Sequence, residues 1–367
     1  MTNKVSAKRY HGPGLFLRYA LPMALACLIM SGESRAAAPA PAFYYWKTAY
    51  DPGPASLEMM EELGCGRLYL RLFEVGLNSG GQAVPKALLR LNQRPVLPVA
   101  PVVFIETAVF EKAETDPARL AVRVAGLIGA MMEAEGLEDA NEWHLDFDWA
   151  AGTRGKFFAF CREMKKHLPD GVELAATIRL DQYKNYGLTG VPPVDRVVLM
   201  SYNMAPVTNP ETANSIIDSA VARQYLANPA GYPLPLDYAL PLFAWVAAFD
   251  GSEFLGLLRQ IPPQLFDSRY CRRQGNIFTV LRPFSVGRWQ ALPGQRLRLE
   301  QSAQPELEAV ADLLAISAPG GRQLIFYHLD DALVSARKAH ELQNILRRFH
   351  QPVDDHAVVR HSGGLRR

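Results

Sequence analysis

The sequence predicts an α/β chain folded as a (β/α)8 TIM barrel, with an insertion between strands seven and eight. Three observations carry this. Short apolar or alternating runs, rich in β-branched and aromatic residues, recur along the chain with helical patterns between them, and that alternation implies a parallel sheet. Eight such runs can be counted, which fits closure into a barrel, an open doubly wound sheet being the alternative. A bare barrel needs about 250 residues, so a chain of 367 has room for an insertion.

Ala42 to Thr48 (Ala-Phe-Tyr-Tyr-Trp-Lys-Thr) reads as the first strand, and Pro54 to Leu63 as a helix stopped by Gly64-Cys65-Gly66. Arg67 to Glu74 is the second strand and Pro95 to Ile105 the third, its prolines blurring the start. Asp116-Pro117 opens an amphipathic helix to about Glu135. Glu142 to Ala150 is the fourth strand, followed by a helix from Thr153 to His167 and a turn at Leu168-Pro169-Asp170-Gly171. Val172 to Leu180 and Arg196 to Asn203 supply strands five and six, with a helix between Pro210 and Leu226. Asp237 to Val246 is strand seven, and Arg322 to His328 strand eight. The insertion is placed at about Phe266 to Gln304, where Asn276 to Val280 and Gln295 to Leu299 read as extra strands. A last helix from Asp331 to Phe349 precedes a polar tail, 351–367, expected to be disordered.

The first residues read as an export signal, 1–36: Lys4, Lys8, Arg9 and Arg18 precede an apolar run from Tyr19 to Met30, then Ser34-Arg35-Ala36 and an Ala/Pro-rich stretch. That run is shorter than the roughly 20 residues a membrane span needs. The barrel would then occupy 37–350, in a periplasmic or secreted protein. Lipid attachment at Cys27 after Ala24-Leu25-Ala26 is the alternative, and the only route by which a membrane becomes a partner. A net charge of +2 disfavours nucleic acid as a partner. Cys65, Cys161 and Cys271 permit at most one internal disulfide and have no zinc-type spacing. No nucleotide-binding loop or nucleophile elbow is present, and no cofactor is expected.

The stretch Glu142-Trp143-His144-Leu145-Asp146-Phe147-Asp148-Trp149-Ala150 holds the chemistry. Strand alternation puts His144, Asp146, Asp148 and Ala150 on one face, and Leu145, Phe147 and Trp149 on the other. Two carboxylates along one face of so apolar a strand need cations, donors or a proton to compensate them. Barrel active sites sit at the C-terminal strand ends. Those ends carry Trp46 and Lys47, Glu74, Glu106, Asp146 and Asp148, Arg179 and Gln182, Tyr202 and Asn203, Trp245, and His328 with Asp330. Aromatic rings among carboxylates and amides suit sugars, covering the apolar faces of pyranose rings while polar groups bond the hydroxyls.

At this point the chain resembles the family 18 glycoside hydrolases, the chitinase-like barrels. Leu145-Asp146-Phe147-Asp148-Trp149 looks like their fourth-strand motif, Leu199-Met200-Ser201-Tyr202-Asn203 like their sixth-strand Met-x-Tyr-Asp motif, and Trp245 is similar to the tryptophan that floors their sugar site. The resemblance implies an oligosaccharide or polysaccharide as partner, with Tyr202 bonding an N-acetyl carbonyl. Against the family pattern Asp-x-x-Asp-x-Asp-x-Glu, however, Trp143 stands at the first aspartate and Ala150 at the glutamate that protonates the leaving oxygen. Asn203 replaces the sixth-strand aspartate.

Three functions follow as alternatives. One is a non-catalytic glycan binder, with Trp46, Glu106, Arg179, Gln182, Asn203 and Trp245 holding the sugar. Another is a glycosidase with a relocated acid, Asp148 donating the proton, Asp146 staying ionised and Glu74 or Glu106 opposing them, with Tyr202 completing the catalytic set. Arg71 and Lys47 would, in a purely structural version, neutralise the two aspartates. The third is a metal-dependent hydrolase using His144, Asp146 and Asp148 with His328 or Asp330. Thr153-Arg154-Gly155-Lys156 after strand four either caps a helix or places cations over an acidic glycan.

Overall fold

The computed structural model describes residues 39–226, 231–317 and 322–350. The expected export signal, the Cys27 lipidation motif and the tail from 351 lie outside them. Eight parallel strands form a closed barrel: β1 (Ala42–Tyr45), β2 (Arg67–Leu77), β3 (Val99–Ile105), β4 (Glu142–Asp146), β5 (Glu173–Arg179), β6 (Arg196–Met200), β7 (Leu236–Pro241) and β8 (Leu324–Tyr327). Each strand pairs with its neighbours in sequence. β1 closes the ring by pairing with both β2, Ala42 opposite Arg67, and β8, Ala42 opposite Ile325.

Helices α1 (Pro54–Glu62), α2 (Pro117–Ala134), α3 (Arg154–Lys165), α4 (Leu180–Lys184), α5 (Ser219–Leu226), α6 (Gln304–Ser317) and α7 (Ala339–His350) surround the ring. The expected boundary signals work locally. Gly64, at φ +62, ends α1 in the left-handed conformation that glycine enters without a Cβ penalty. The Asp116 carboxylate accepts from the Ala118 N–H at 2.9 Å and caps α2.

Departures from the expected elements have physical causes. β3 starts at Val99, past Pro95 and Pro98, which cannot donate to a ladder. Between β2 and β3 no α-helix intervenes: β2 runs on to Leu77 and folds back on Ala83–Lys86 as an antiparallel hairpin. The alternation of strand and helix therefore lapses once. β6 ends at Met200, and residues 201–218, interrupted by Pro206 and Pro210, cross the barrel end as a loop before α5. The last helix breaks after Val334 and resumes at Ala339.

The run read as strand seven divides in two. β7 stops at Pro241, and Ala244–Asp250 leaves the barrel to join a second, antiparallel sheet, in the order Glu253–Leu258, Ala244–Asp250, Arg296–Gln301, Ile277–Val280 and Cys271–Gln274. This sheet lies between β7 and β8, starts upstream of the expected Phe266, and has its own core around Val246, Phe278 and Leu297.

Strand alternation sorts the barrel into two layers. Leu145, Phe147 and Trp149 pack outward with Phe110 and Phe157, whereas Tyr44, Tyr69, Val102, Val198 and Ile325 fill the interior. At the N-terminal end the interior is polar and internally bonded. Arg67 meets Glu142 at 2.9 Å, the Tyr69 hydroxyl donates to Glu142 at 3.3 Å, and Arg196 meets Asp237 at 2.8 Å. Those pairs fill the N-terminal end of the interior, opposite the C-terminal strand ends that carry the candidate site. Cys65, Cys161 and Cys271 are buried and free.

Candidate functional site

The fourth strand delivers its carboxylates at two depths. The β4 ladder ends at Asp146, and Phe147 to Ala150 continue beyond it without regular pairing. Asp146 is only 8% exposed and accepts from the Thr177 hydroxyl of β5 at 2.8 Å. Burial, reinforced by Asp148 nearby, raises its carboxyl from 3.8 to about 6, although Thr177, His144 and Arg179 pull the other way. Asp148 is solvent-facing and bound through both oxygens by the Arg179 guanidinium.

This reverses the roles read from sequence. In that reading Asp148 donates the proton and Asp146 stays ionised. In the structure Asp146 has the raised carboxyl, and Asp148 lies in an ion pair. Arg71 and Lys47 do not neutralise these aspartates either: Arg71 pairs with Glu74, and Lys47 with Asp330 at 2.6 Å. Glu106 is held by Lys86 of the hairpin at 2.9 Å. That pair runs across Gly76, where a Cβ would collide with both the Glu106 carboxylate and the Lys86 ammonium. The four partly exposed carboxylates at the strand ends thus each carry a cation.

Around them lies an aromatic lining. Trp46 stands edge-on to Tyr327, ring centroids 5.5 Å apart, and the Arg71 guanidinium lies 5.4 Å from its ring centroid. Tyr202 stacks on Tyr327 at 5.4 Å and meets Phe243 edge-on at 5.9 Å. Its phenol is buried without a hydrogen-bond partner, and that burial holds its pKa well above the usual value. Asn203 adopts φ +54, a region asparagine tolerates, and exposes its amide. A cleft of about 600 Å³ opens beside Trp46 and Arg71, reaching Lys47, Asp51 and Asn92.

Two residues expected to bind sugar are engaged elsewhere. Gln182 is buried behind the mouth, accepting from the Arg179 N–H at 2.8 Å and donating to the Trp149 carbonyl at 3.0 Å. It braces Arg179 and the segment carrying Asp148, which makes it a positioning residue. Trp245 belongs to the second sheet rather than to β7; its indole donates to Glu300 at 2.9 Å while its ring packs 5.1 Å from Phe243. Glu300 is fully buried, also taking the Ser215 N–H at 2.9 Å and Arg298 at 2.6 Å. It ties the second sheet to the loop after β6.

Arg154 and Lys156 do not overhang the mouth, because they donate to the Leu188 and Ala113 carbonyls at 2.8 and 3.0 Å. The metal alternative finds no geometry. His144 points to the interior, 3.2 Å from the Tyr44 hydroxyl, and among the described residues no three His, Cys, Asp or Glu side chains converge as ligands.

Sequence reasoning missed Tyr327 and Phe243. The signal for Tyr327 was present, since Ile325 and Tyr327 share the inward parity of β8.

No sequence-family profile and no curated protein sequence matches the chain. Solved structures do match. The spore cortex-lytic enzyme SleL of Bacillus cereus aligns with a TM-score of 0.53 at 15% identity, over 86% of this chain and 75% of that one. SleL of Bacillus megaterium QM B1551 gives 0.50 at 14%, over 84% and 73%. A chitinase from Bacteroides thetaiotaomicron gives 0.51 at 10%, over 86% and 99%. At such identities the likeness is one of fold. The chain has the closed barrel of these enzymes, and its resemblance to chitinase-like barrels stands at that level.

Proposed function

We propose that this protein is an exported, carbohydrate-binding barrel of glycoside-hydrolase type that holds an envelope or extracellular polysaccharide at its mouth without cleaving it. The observation that carries the reading is the pairing of the rim carboxylates: Asp148 with Arg179, Glu74 with Arg71, Glu106 with Lys86 and Asp330 with Lys47. Glycoside hydrolysis needs one carboxyl that delivers a proton to the leaving oxygen and a second carboxylate to oppose it. A carboxylate whose oxygens are already bonded to a cation must leave that pair before it can serve a leaving oxygen. At the place the chitinase-like motif gives to the acid stands Ala150, exposed and unable to transfer a proton.

What remains is a binding surface. Trp46 and Tyr327, both half-buried, offer ring surface for the C–H side of a sugar. The unpartnered Tyr202 hydroxyl and the exposed Asn203 amide supply hydrogen bonds, and Arg179 a guanidinium. Export rests on the signal-like residues 1–36, with lipid anchoring at Cys27 as the variant form.

One observation favours a second reading, in which slow hydrolysis survives: Asp146, raised to about 6, carries a proton in mildly acidic solution. Isothermal titration with neutral and N-acetylated oligosaccharides, together with a reducing-end assay on the same sugars from about pH 4 to pH 8, tests both. Saturable binding without new reducing ends is the expected result. New reducing ends that disappear in Asp146→Asn transfer the protein to the second reading, and neither binding nor cleavage overturns both.

A further inference from the structure

The second sheet differs in charge from the rest of the chain. Between Ala244 and Gln301 there are eight arginines, four carboxylates and no lysine, in a protein whose net charge is +2. Arg298 is consumed by Glu300, and Arg269 by Asp267. Arg272, Arg273, Arg282 and Arg288 are all exposed, and among the described residues none of them forms an ion pair.

The positions of these arginines lie with aromatic residues along one margin of the sheet, Arg272 and Arg273 on its opposite faces. Arg272 and Arg273 lie on the edge strand Cys271–Gln274. The chain then turns back until the Arg282 N–H reaches the Tyr270 carbonyl at 3.3 Å, which brings Arg282 beside the start of that strand. Tyr270 meets Phe284 edge-on at 6.0 Å, and Phe284 opens the hairpin whose turn carries Arg288. The Arg273 guanidinium lies 5.4 Å from the Phe278 ring centroid, and Phe278 in turn touches Phe266, which is 59% exposed.

We infer that this arginine-edged margin is a second glycan-binding surface, selective for an acidic polysaccharide whose carboxylates are taken by the guanidinium groups. The choice of arginine over lysine matters, because a planar fork meets a carboxylate through two parallel hydrogen bonds while an ammonium acts as a point charge. Tyr270 and Trp289, half-buried beside the forks, leave part of their rings open to a sugar. Continuity supports a polymer: the sheet begins at Ala244, directly after β7, and is fastened to the mouth through Trp245 and Glu300. A lipid surface fits less well, since Phe278 and Phe284 are buried in the sheet and the exposed apolar side chains at this margin are few, Phe266, Leu281 and Leu292. A chain held at both places gains through effective concentration. The inference rests on the glycan-binding reading of the mouth and adds the acidic character of the polymer.

The test uses the full chain with polygalacturonate as the acidic polymer, fully methyl-esterified polygalacturonate as its neutral counterpart, and vesicles of phosphatidylcholine with phosphatidylglycerol. Expected are binding to polygalacturonate at least about tenfold tighter than to the ester, and a loss of that preference as salt rises from about 0.05 to 0.5 M. The triple variant R272E/R273E/R282E should lose the preference; R272Q/R273Q/R282Q should weaken it, and serves if charge reversal impairs folding. Trp46→Ala, at the mouth, should abolish binding of short neutral oligosaccharides while leaving the salt-dependent preference. Equal binding of acid and ester, or an unchanged preference in both triple variants, overturns the inference and leaves the arginines as guards of an exposed sheet edge. Vesicle binding lost in the same variants, without polygalacturonate binding, overturns it in favour of a membrane surface. Failure of short neutral oligosaccharides alone strikes the mouth and not this surface.

Discussion

Replacing Asp146 by asparagine should make the protein more stable at neutral pH. Its carboxyl titrates near 3.8 when unfolded and at about 6 in the barrel, so between these values the folded state binds more protons than the unfolded one. The stability this group contributes is therefore fully present below about pH 4, is lost as pH rises through 6, and is absent beyond it. A shift of about two units corresponds to about 3 kcal/mol at 1.36 kcal/mol per unit. Asparagine fills nearly the same volume and can still accept from Thr177, whose hydroxyl lies 2.8 Å from Asp146 Oδ1. Urea unfolding of wild type and Asp146→Asn at intervals from about pH 4 to pH 8 isolates this residue, because other titrating groups, such as Glu142 with its lowered carboxyl, contribute equally to both proteins. The variant should match the wild type near pH 4 and exceed it by about 1–3 kcal/mol at pH 7. Equal or lower stability of the variant at pH 7 would refute the argument, since burial would then not be what lifts Asp146.

Other outcomes follow from the same geometry. Ala150→Glu, at an exposed position, should change stability by less than about 0.5 kcal/mol and introduce reducing-end release from bound oligosaccharides; binding without any release would mean that more than the acid is missing. Arg179→Gln breaks a solvent-facing pair and should cost less than about 1 kcal/mol in urea unfolding, while raising the Asp146 carboxyl further, because Arg179 lowers it; an unmoved Asp146 titration by NMR would count against that coupling. Glu300→Ala strands the buried Arg298 guanidinium and should cost about 3–5 kcal/mol, a loss below about 1 kcal/mol showing that the second sheet is not anchored there.

The barrel was legible wherever one period governed a segment. In Glu142 to Asp146 the two-residue period alone placed His144 and Asp146 inside and Leu145 outside, as the structure has them. It failed where one apolar run serves two sheets: Asp237 to Val246 has no polar break, yet Leu242 and Phe243 carry the chain from the barrel into the second sheet. Helix α6 is absent from the sequence reading, although its buried Leu307, Val310, Ala311 and Leu314 form a helical apolar stripe. At the site, residue types were legible and partners were not. Ion pairs such as Asp148 with Arg179, or Lys86 with Glu106, join residues whose proximity depends on which strands are neighbours and on the hairpin after β2. Sequence could nominate Arg71 and Lys47 as cations, but only the strand ends assign them to Glu74 and Asp330.

Asp146 is where these arguments meet. A barrel shaped only for packing would place an apolar or neutral side chain at that depth, since a buried carboxyl with one hydroxyl donor is a standing cost. Its neighbours are arranged differently: Asp148, Glu74, Glu106 and Asp330 each have a cation, whereas Asp146 has Thr177 and lies close enough to Asp148 for the two charges to repel. Tyr202, equally buried, has no hydrogen-bond partner at all. A buried carboxyl with one donor and a buried phenol with no partner become favourable once a polar ligand supplies further bonds. A sugar, with hydroxyls that both donate and accept, can bond a carboxylate and a phenol together in a way that an apolar ligand cannot. The same arithmetic separates binding from cleavage. Satisfying Asp146 and Tyr202 stabilises the bound ground state, whereas breaking a glycosidic bond requires a proton delivered to the leaving oxygen, from the place where Ala150 stands.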